Sequence, residues 1–233
     1  MTRRDELAAN LRAVTDRIAA ACRAAGRDPG EVELVVVTKF FPVSDVRLLA
    51  ELGVTSVGEN RHQEAAAKAA ECRDLDLRWH FIGGLQANKA AAVATYADVV
   101  ESVDRVKLVP ALSKGAHQRS HPLDCLLQVS LDPPGGGEGR SGALPDELPA
   151  LADAVAERGM LTLRGLMAVA PLGADPEPAF GRLAEIAADF RELYPAADRL
   201  SAGMTDDLEY AVAAGATHVR LGRAVLGQRP PVK

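Results

Sequence analysis

Hydrophobic and polar positions at the start of the chain repeat with the period of a helix. Five apolar residues recur there at three- and four-residue spacing: Leu7, Leu11, Val14, Ile18 and Ala21. This spacing places them on one face of a helix. Gly26 and Pro29 follow, and both residue types are common where helices end. The pattern predicts an N-terminal helix that buries one face.

Short apolar runs separated by helical patterns make up the rest of the chain. Eight runs have the length of strands: 33–38, 54–57, 79–82, 99–103, 123–130, 163–169, 199–202 and 218–221. Segments such as 44–53, 60–73 and 179–194 between them have helical periodicity. Strands that alternate with helices predict βαβ units and a parallel sheet. Eight such units favour a (β/α)8 barrel over an open doubly wound sheet.

We expect residues 1–233 to form a single domain of this α/β class. One segment, 131–147, departs from the pattern because it is rich in Gly and Pro, and it predicts an irregular mobile loop on the ligand side of the barrel. A lid and a disordered insertion are both compatible with this composition. The segment is not a phosphate-binding P-loop, since no Gly-Lys-Ser/Thr follows its glycines.

Composition narrows the function classes. The net charge of −5 argues against a nucleic-acid or anionic-membrane surface, which would need clustered Lys and Arg, and favours small-molecule chemistry. No apolar stretch is long enough to span a bilayer. Cys22, Cys72 and Cys125 form no CxxC pair, so neither a disulfide framework nor a zinc site is indicated. We expect a cytoplasmic protein.

Lys39 follows the nearly unbroken apolar run of the first predicted strand. In a barrel, ligands bind at the carboxyl ends of the strands, so this lysine would lie at the mouth. One interpretation is a side chain that reaches solvent from a strand end. The other is a Schiff-base lysine, whose neutral amine attacks an aldehyde in an apolar pocket.

Two glycine turns, after the seventh and eighth predicted strands, offer a phosphate site. The first runs through Gly203 to Thr205, which we predict as a helix N-cap, and the second runs through Gly222 to a helix that opens near Arg223. Barrels often hold phosphate at these two loops. Alternatively, the glycines only permit tight turns.

Two charged features bear on this site. Asp206 and Asp207 would repel a phosphate unless they point outward. Arg220 alternates with apolar neighbours in the eighth strand, so it could face the barrel interior, where it would need a partner. A surface ion pair is one interpretation. A hydrogen bond to a pyridine nitrogen is the other, and a protonated arginine there would weaken the ring as an electron sink.

Three histidines are weaker candidates. His117 and His121 have the spacing of metal ligands on a helix, but they precede the fifth strand and Pro122 interrupts any helix, so we expect no metal site. His80 begins the third strand and is expected to be packed rather than catalytic.

Six ordered motifs resemble a known family over nearly the whole chain. They are VVVTKF, GENRHQE, WHFIGGLQANK, GLMAVA, LSAGMTDDLEYAVAAGATHVRLGRAVLG and the helix that precedes the first strand. On these motifs the sequence resembles the pyridoxal 5'-phosphate (PLP) homeostasis proteins, which are single-domain relatives of the alanine racemase barrel. The resemblance implies a modified (β/α)8 barrel in which Lys39 forms a Schiff base with PLP.

The resemblance also implies the other site residues. Phosphate contacts fall on Ser201, Met204, Thr205, Gly222 and Arg223, and the arginine that faces the pyridine nitrogen falls on Arg220. Asn60, His80 and Met167 lie in motifs that line the cofactor. Many family members have a Thr or Ser hydroxyl where this chain has Arg223. Their loop after the fifth strand is shorter, with Arg140, Ser141 and Gly142 as its remnant here.

The resemblance implies a protein that holds and buffers PLP, and that delivers it to apo PLP-dependent enzymes, without turnover of its own. Racemases with this barrel add a β-domain and use a tyrosine as second acid or base. This chain ends six residues after Gly227, and Tyr96, Tyr194 and Tyr210 fall on helices or connections that lead to strand starts. None of these tyrosines is an evident acid or base at the mouth. Because racemases dimerise through the β-domain, we expect a monomer here. A PLP-dependent racemase or related enzyme, and a barrel for another phosphorylated metabolite, are the alternatives.

Overall fold

The computed structural model describes residues 1–132, 141–171, 173 and 175–228. Within these ranges the chain forms a closed barrel of eight parallel strands in sequence order. The strands are β1 (Glu33–Val37), β2 (Ser56–Glu59), β3 (Arg78–Phe81), β4 (Val99–Val103), β5 (Leu123–Gln128), β6 (Leu161–Met167), β7 (Arg199–Ser201) and β8 (His218–Leu221). Val36 of β1 is in register with Val57 of β2 on one side and Leu221 of β8 on the other, which closes the sheet.

The α-helices of the described ranges surround this barrel. They are α1 (Arg3–Ala24), α2 (Val43–Glu51), α3 (His62–Glu71), α4 (Ala87–Val93), α5 (Val109–Ala116), α6 (Leu148–Ala156), α7 (Pro176–Leu193), α8 (Leu208–Ala213) and α9 (Arg223–Leu226). The (β/α)8 prediction is confirmed, and the open doubly wound sheet is wrong. None of these helices combines the length and the apolar character that crossing a membrane requires.

Strand ends differ from the prediction by up to two residues. The second strand, for example, begins at Ser56 rather than at Val54. Val54 packs against Val46 and Val57 outside the ladder, so it is apolar without belonging to the sheet. The hydrogen-bond ladder, and not hydrophobicity, determines where a strand begins.

Alternate residues of β8 face opposite sides. Val219 and Leu221 pack outward in a cluster that includes Leu7 and Val14 of α1. Arg220, between them, is buried and lies against the interior of the barrel, where it bonds to Ser201 of β7. The predicted orientation of Arg220 is confirmed.

Helix α1 lies across the loops at the end of the chain. Its start is fixed by a capping box between Thr2 and Asp5. Its polar side chains donate to three carbonyl oxygens at the carboxyl-end face: Arg3 to Leu226 (2.9 Å), Asn10 to Val225 (2.9 Å) and Arg17 to Thr205 (2.7 Å). The N-terminal helix therefore anchors both of the turns that were predicted to bind phosphate.

The loop after β5 is described at residues 129–132 and from Ser141 onward. Ala143 forms a bridge with Val129, and Pro145–Glu147 is one turn of 3-10 helix. The expectation of an irregular segment is therefore wrong for its last residues, since the bridge to Val129 and a proline at the start of the turn order them. Residues 133–140, which include Arg140, lie outside the described residues. The expectations of a lid and of a disordered insertion fall on these residues.

Candidate functional site

A pocket of about 440 Å³ opens at the carboxyl ends of β1, β3 and β8. It is lined by Val37, Lys39, Phe41, Ile82, Met204, Thr205, Asp206, Arg220, Gly222, Arg223, Gly227 and Gln228. We call it the mouth pocket. Its volume is within the range of small-molecule sites. Six predicted site residues share it: Lys39, Met204, Thr205, Arg220, Gly222 and Arg223.

The backbone on both sides of Lys39 is held by hydrogen bonds from α3. The carbonyl oxygen of Thr38 accepts from Lys68 Nζ at 2.8 Å. The backbone N–H of Phe40 donates to Glu64 Oε1 at 2.6 Å. Lys39, which is partly buried, is thus presented from a segment that is fixed at each end.

Lys68 is the centre of a buried charge network behind this segment. Its Nζ donates to Glu59 Oε1 (2.7 Å) and to Glu64 Oε1 (2.6 Å), and Thr38 Oγ1 donates to Glu59 Oε1 (2.7 Å). Burial raises the pKa of Glu59, although the bond and charge of Lys68 oppose that rise. The network joins the ends of β1 and β2 to the first turns of α3.

Phe40 has a left-handed backbone conformation, with φ of 71°. For a residue with a side chain this conformation costs roughly 1–2 kcal/mol. The bond from its N–H to Glu64 and the stacking of Arg61 on its ring, 5.1 Å from the centroid, hold it there. Strain of this kind persists where the surrounding structure fixes the backbone, and here it lies directly after Lys39.

The two glycine turns approach the pocket as predicted. Gly203 has φ of 92°, and a Cβ there would lie 2.7 Å from the Cβ of Ala211, so only glycine fits. A Cβ at Gly222 would lie 3.1 Å from the carbonyl oxygen of Val37, so this turn packs closely on the end of β1. Helix α9 begins directly afterwards. The N–H groups of Val225 and Leu226 donate to the Gly222 carbonyl oxygen, whereas those of Arg223 and Ala224 have no acceptor within the helix.

The prediction that Thr205 caps a helix is wrong. Helix α8 begins at Leu208, and Asp207 occupies the position before it. The reason is a bond from the Met204 backbone N–H to the Asp207 carboxylate, which closes a turn over 204–207 and delays the helix. The carbonyl oxygen of Thr205 accepts from Arg17 of α1 instead.

The two aspartates of this turn differ in orientation. Asp207 is buried against the backbone of its own turn. Asp206 is exposed and lies 3.4 Å from the exposed guanidinium of Arg223. The Arg223 side chain therefore points toward solvent and Asp206. Its backbone N–H, next to Gly222, is the part that a ligand at this turn could contact.

Arg220 is the floor of the mouth pocket and belongs to a buried network. Its guanidinium donates to Ser201 Oγ (2.7 Å) and to the Ala168 carbonyl oxygen (2.9 Å), and it lies 3.6 Å from Glu101. The interpretation of Arg220 as a surface ion pair is wrong, because both charges are buried.

Glu101 is the anion of this network. Its carboxylate accepts from Ser201 Oγ (2.6 Å) and contacts His80 Nδ1 (2.7 Å). Burial alone would raise its pKa, but the bonds and charges of His80, Arg220 and Ser201 outweigh burial and lower the pKa to about 2. Arg220 therefore has a permanent counter-charge inside the barrel.

Four predicted site residues lie outside the lining of the mouth pocket: Asn60, His80, Met167 and Ser201. Ser201 and His80 belong to the network of Arg220 and Glu101, and Met167 packs inside the barrel with Val99 and Leu126. Asn60 follows β2, and its Oδ1 is buried with no hydrogen-bond partner. Such an atom is expected to meet a polar group of a ligand or of water.

The other titratable candidates lie away from the mouth. His117 Nδ1 bonds to the Ser113 carbonyl oxygen, and His121 lies near Asp98. Tyr96 stacks on His62. Tyr194 donates to Asp153, and Tyr210 lies on α8. In the described part of the chain, no tyrosine or histidine lines the mouth pocket.

Sequence reasoning missed the two buried networks. Glu64 and Lys68 are four residues apart on a predicted helix, which is a signal for an ion pair. Their contact with Glu59 and Thr38, however, depends on how α3 packs on the strands. Glu101 interrupts an apolar run, and a charge at an inward position of a buried strand could have marked it as a partner for Arg220.

Comparison with known proteins agrees with this geometry. Residues 5–230 match the family described as alanine racemase, N-terminal domain. The chain is 44% identical over 229 residues to the pyridoxal phosphate homeostasis protein of Pseudomonas aeruginosa, with 96% of each chain covered. PipY of Synechococcus elongatus PCC7942, whose structure was solved with PLP bound, is 34% identical. The two structures superpose with a TM-score of 0.76 over 90% of this chain and 100% of that one.

A racemase shares the fold at greater distance. Alanine racemase from Streptomyces coelicolor A3(2) is 19% identical and superposes with a TM-score of 0.74. The match covers 95% of this chain and 58% of the racemase. At this identity the likeness concerns the barrel and not its chemistry.

Proposed function

The chain belongs to the pyridoxal phosphate homeostasis protein family of alanine racemase-like barrels, and on that basis we propose that it holds pyridoxal 5'-phosphate in the mouth pocket through Lys39. One observation carries the proposal. The pocket unites a lysine at the end of β1, an inward arginine of β8 and two glycine turns, which come from distant parts of the sequence. An aldehyde that also carries a phosphate and a pyridine nitrogen requires this combination of groups.

The residues of the pocket fit the cofactor part by part. PLP supplies an electrophilic aldehyde and an electron-accepting ring. Lys39 would supply the amine for the aldehyde, and hydrogen bonds hold the backbone on each side of it. Arg220 would offer its guanidinium to the ring nitrogen, and Glu101 balances the charge of that guanidinium. The turn at Gly222 and Arg223 offers backbone N–H groups to the phosphate.

The remaining predicted contacts are proposed to act in different ways, some on the cofactor directly and some through other residues. Thr205 lines the pocket and supplies a hydroxyl to the phosphate, whereas the backbone N–H of Met204 is already bonded to Asp207. Ser201 acts through Arg220, to which it is hydrogen-bonded. Asn60 is proposed as a ring contact because its Oδ1 is buried without a partner. His80 and Met167 support the floor from below.

We propose that the protein stores and releases PLP rather than turning over a substrate. General acid-base catalysis usually needs a second positioned group besides the lysine. Within the described lining, the ionisable side chains besides Lys39 are two arginines and Asp206, and Asp206 is exposed. A guanidinium at the ring nitrogen also weakens the ring as an electron sink.

Borohydride trapping tests the cofactor proposal. The protein is incubated with PLP, reduced, digested and analysed by mass spectrometry. We expect a visible absorption band before reduction and the cofactor mass on the peptide that contains Lys39. Lys39→Ala should lose both, and Lys107→Ala, at an exposed lysine, should keep both. Equal labelling of several lysines, or no band, would overturn the proposal.

The storage proposal has a separate test. Loaded protein is incubated with D- or L-alanine in deuterated water, and the exchange of the α-proton is followed by NMR. We expect no exchange above that of free PLP, whereas turnover would make the protein a racemase-type enzyme. Transfer to an apo PLP enzyme at a rate above that of free PLP release would support delivery.

The proposed oligomeric state is a monomer. The large apolar side chains exposed in the described ranges, apart from Met1, lie on different segments: Val106, Leu144, Leu193 and Tyr210. Isolated exposed residues of this kind do not mark an interface. Light scattering of the loaded protein should give the mass of one chain, 24.6 kDa, and a mass of two chains would contradict the proposal.

A further inference from the structure

A second pocket lies at the opposite face of the barrel, among the amino ends of β3 to β8. It has a volume of about 100 Å³, and its polar lining consists of Arg78, His80, Asp124, Arg164, Arg199 and His218. We call it the amino-end pocket. None of its lining residues belongs to the mouth pocket. This face of a barrel ordinarily serves stability, so its charges need an explanation.

Cations outnumber anions in this lining. Arg78 and Arg164 both bind the single carboxylate of Asp124, at 2.9 and 3.0 Å. The third arginine, Arg199, lies 3.6 Å from Asp198, which is 69% exposed and outside the lining. Three guanidinium groups thus converge on a pocket with one carboxylate, in a chain whose net charge is −5.

These arginines can change partners at low cost. The side chains of Arg78, Arg164 and Arg199 are each 47% exposed. Ion pairs at such exposure contribute little to stability, so little is lost when a guanidinium turns from a carboxylate to a ligand. A planar guanidinium is also suited to binding phosphate and carboxylate oxygens in pairs.

His80 gives the second, independent indication. Its side chain is 2% exposed and lines the pocket. Nδ1 bonds to Glu101, whereas Nε2 is buried with no hydrogen-bond partner. Leaving a buried polar atom unpaired is destabilising, and such atoms in a native protein are expected to have a partner. An oxygen of a bound anion would supply that partner.

We propose that the amino-end pocket binds a small oxyanion, the phosphate or carboxylate group of a metabolite, between the three arginines and His80. The volume suits one such group. A neighbouring hollow of about 340 Å³, which shares Arg78, Asp124 and Arg164, accommodates the rest of the molecule. In this arrangement both ring nitrogens of His80 donate, Nδ1 to Glu101 and Nε2 to the anion.

The occupant would also be linked to the mouth pocket. His80 contacts Glu101, and Glu101 contacts Ser201 and Arg220, so one chain of buried polar contacts crosses the barrel. We propose no effect of one site on binding at the other. The binding proposal does not depend on PLP and holds with or without a bond at Lys39.

NMR of protein labelled with ¹⁵N at histidine tests the site. Inorganic phosphate and malonate are titrated in separate arms, with chloride at equal ionic strength as the control. We expect the His80 ring signals to shift in a saturable way with one of the two oxyanions. Arg164→Gln and Arg199→Gln should each weaken binding by about tenfold. Arg158→Gln, at an exposed arginine outside the pocket, should leave it unchanged.

The arms separate the sources of the anion. Saturation by phosphate alone assigns a phosphate ligand, and saturation by malonate alone assigns a carboxylate ligand. A shift that chloride reproduces, or one that is equal in the parent and both pocket variants, would overturn the proposal. The same titration in Lys39→Ala protein should give the same result, so failure of the PLP proposal and failure of this one are distinguishable.

Discussion

Lys68 Nζ lies 2.8 Å from the carbonyl oxygen of Thr38, the residue that directly precedes Lys39. The same ammonium group binds two carboxylates, Glu59 and Glu64, and is itself buried. Lys68, which does not line the mouth pocket, therefore holds the backbone next to Lys39, which does.

Lys68→Met removes the cation and leaves the Glu59 carboxylate buried without its partner. Breaking a buried pair in this way costs about 3–5 kcal/mol, and we expect a loss of stability of this order in urea denaturation. Because the Thr38 carbonyl is also released, the fraction of protein trapped with PLP by borohydride should fall.

The matched control is Lys114→Met, which changes an exposed lysine on α5 and should shift stability by less than about 0.5 kcal/mol. The double variant Lys68→Met with Glu59→Gln should recover part of the lost stability, since no unpaired carboxylate remains. If the single and double variants were equally unstable, the charge network would not be the source of the loss.

The barrel was predictable because its signals are local. Each strand is an apolar run, and the helices between them have their own periodicity, so eight units could be counted before any contact was known. Strand ends were less predictable, as Val54 shows, because an apolar residue can pack outside the ladder.

The site likewise contains some residues that local sequence signals predict and others that they do not. Lys39, Gly222 and Arg220 could be named from strand position and residue type, and the structure brings them together. The turn at Thr205 could not be predicted, because a single hydrogen bond from the Met204 N–H to the Asp207 carboxylate determines where α8 begins. Glu101 of β4 and Arg220 of β8 each mark a buried charge that needs a partner, but no local pattern shows that the two residues pair with each other.

The lowered pKa of Glu101 predicts a loss of stability in acid. Between the ordinary glutamate pKa near 4.5 and the folded-state pKa of about 2, the unfolded chain binds the proton and the folded protein does not. Stability from this group is therefore complete above pH 4.5 and is lost as the pH falls toward 2.

Glu101→Gln tests this assignment in urea denaturation at several pH values. The variant should be less stable at pH 7 by about 3 kcal/mol or more, because Arg220 keeps its buried charge without a carboxylate. It should also lose less stability than the parent between pH 4.5 and pH 2. Glu192→Gln, at an exposed glutamate of α7, should retain the acid dependence of the parent. A Glu101→Gln curve parallel to that of the parent would contradict the prediction.

Arg17 connects α1 to the first glycine turn through its 2.7 Å bond to the Thr205 carbonyl oxygen. Its side chain also pairs with Glu209 of α8. In Arg17→Gln the turn loses this anchor, and a hydrogen bond of roughly 1 kcal/mol corresponds to about a fivefold weaker affinity for PLP. Titration by visible absorbance measures the change. Arg12→Gln, at an exposed residue of the same helix, should bind PLP as the parent does, and equal weakening in both variants would show that the turn is not involved.

The left-handed conformation of Phe40 predicts an inverted preference between alanine and glycine. Phe40→Ala and Phe40→Gly both lose the aromatic ring and its contact with Arg61. They differ in that alanine keeps a Cβ, which at φ of 71° is unfavourable by roughly 1 kcal/mol. Phe40→Gly should therefore be the more stable of the two by about that amount in urea denaturation.

At Phe41, whose φ is not positive, the order should reverse, since glycine there only adds freedom to the unfolded chain. If Phe40→Ala proved the more stable, the backbone directly after Lys39 would not be held in the strained form by the bond from Phe40 N–H to Glu64.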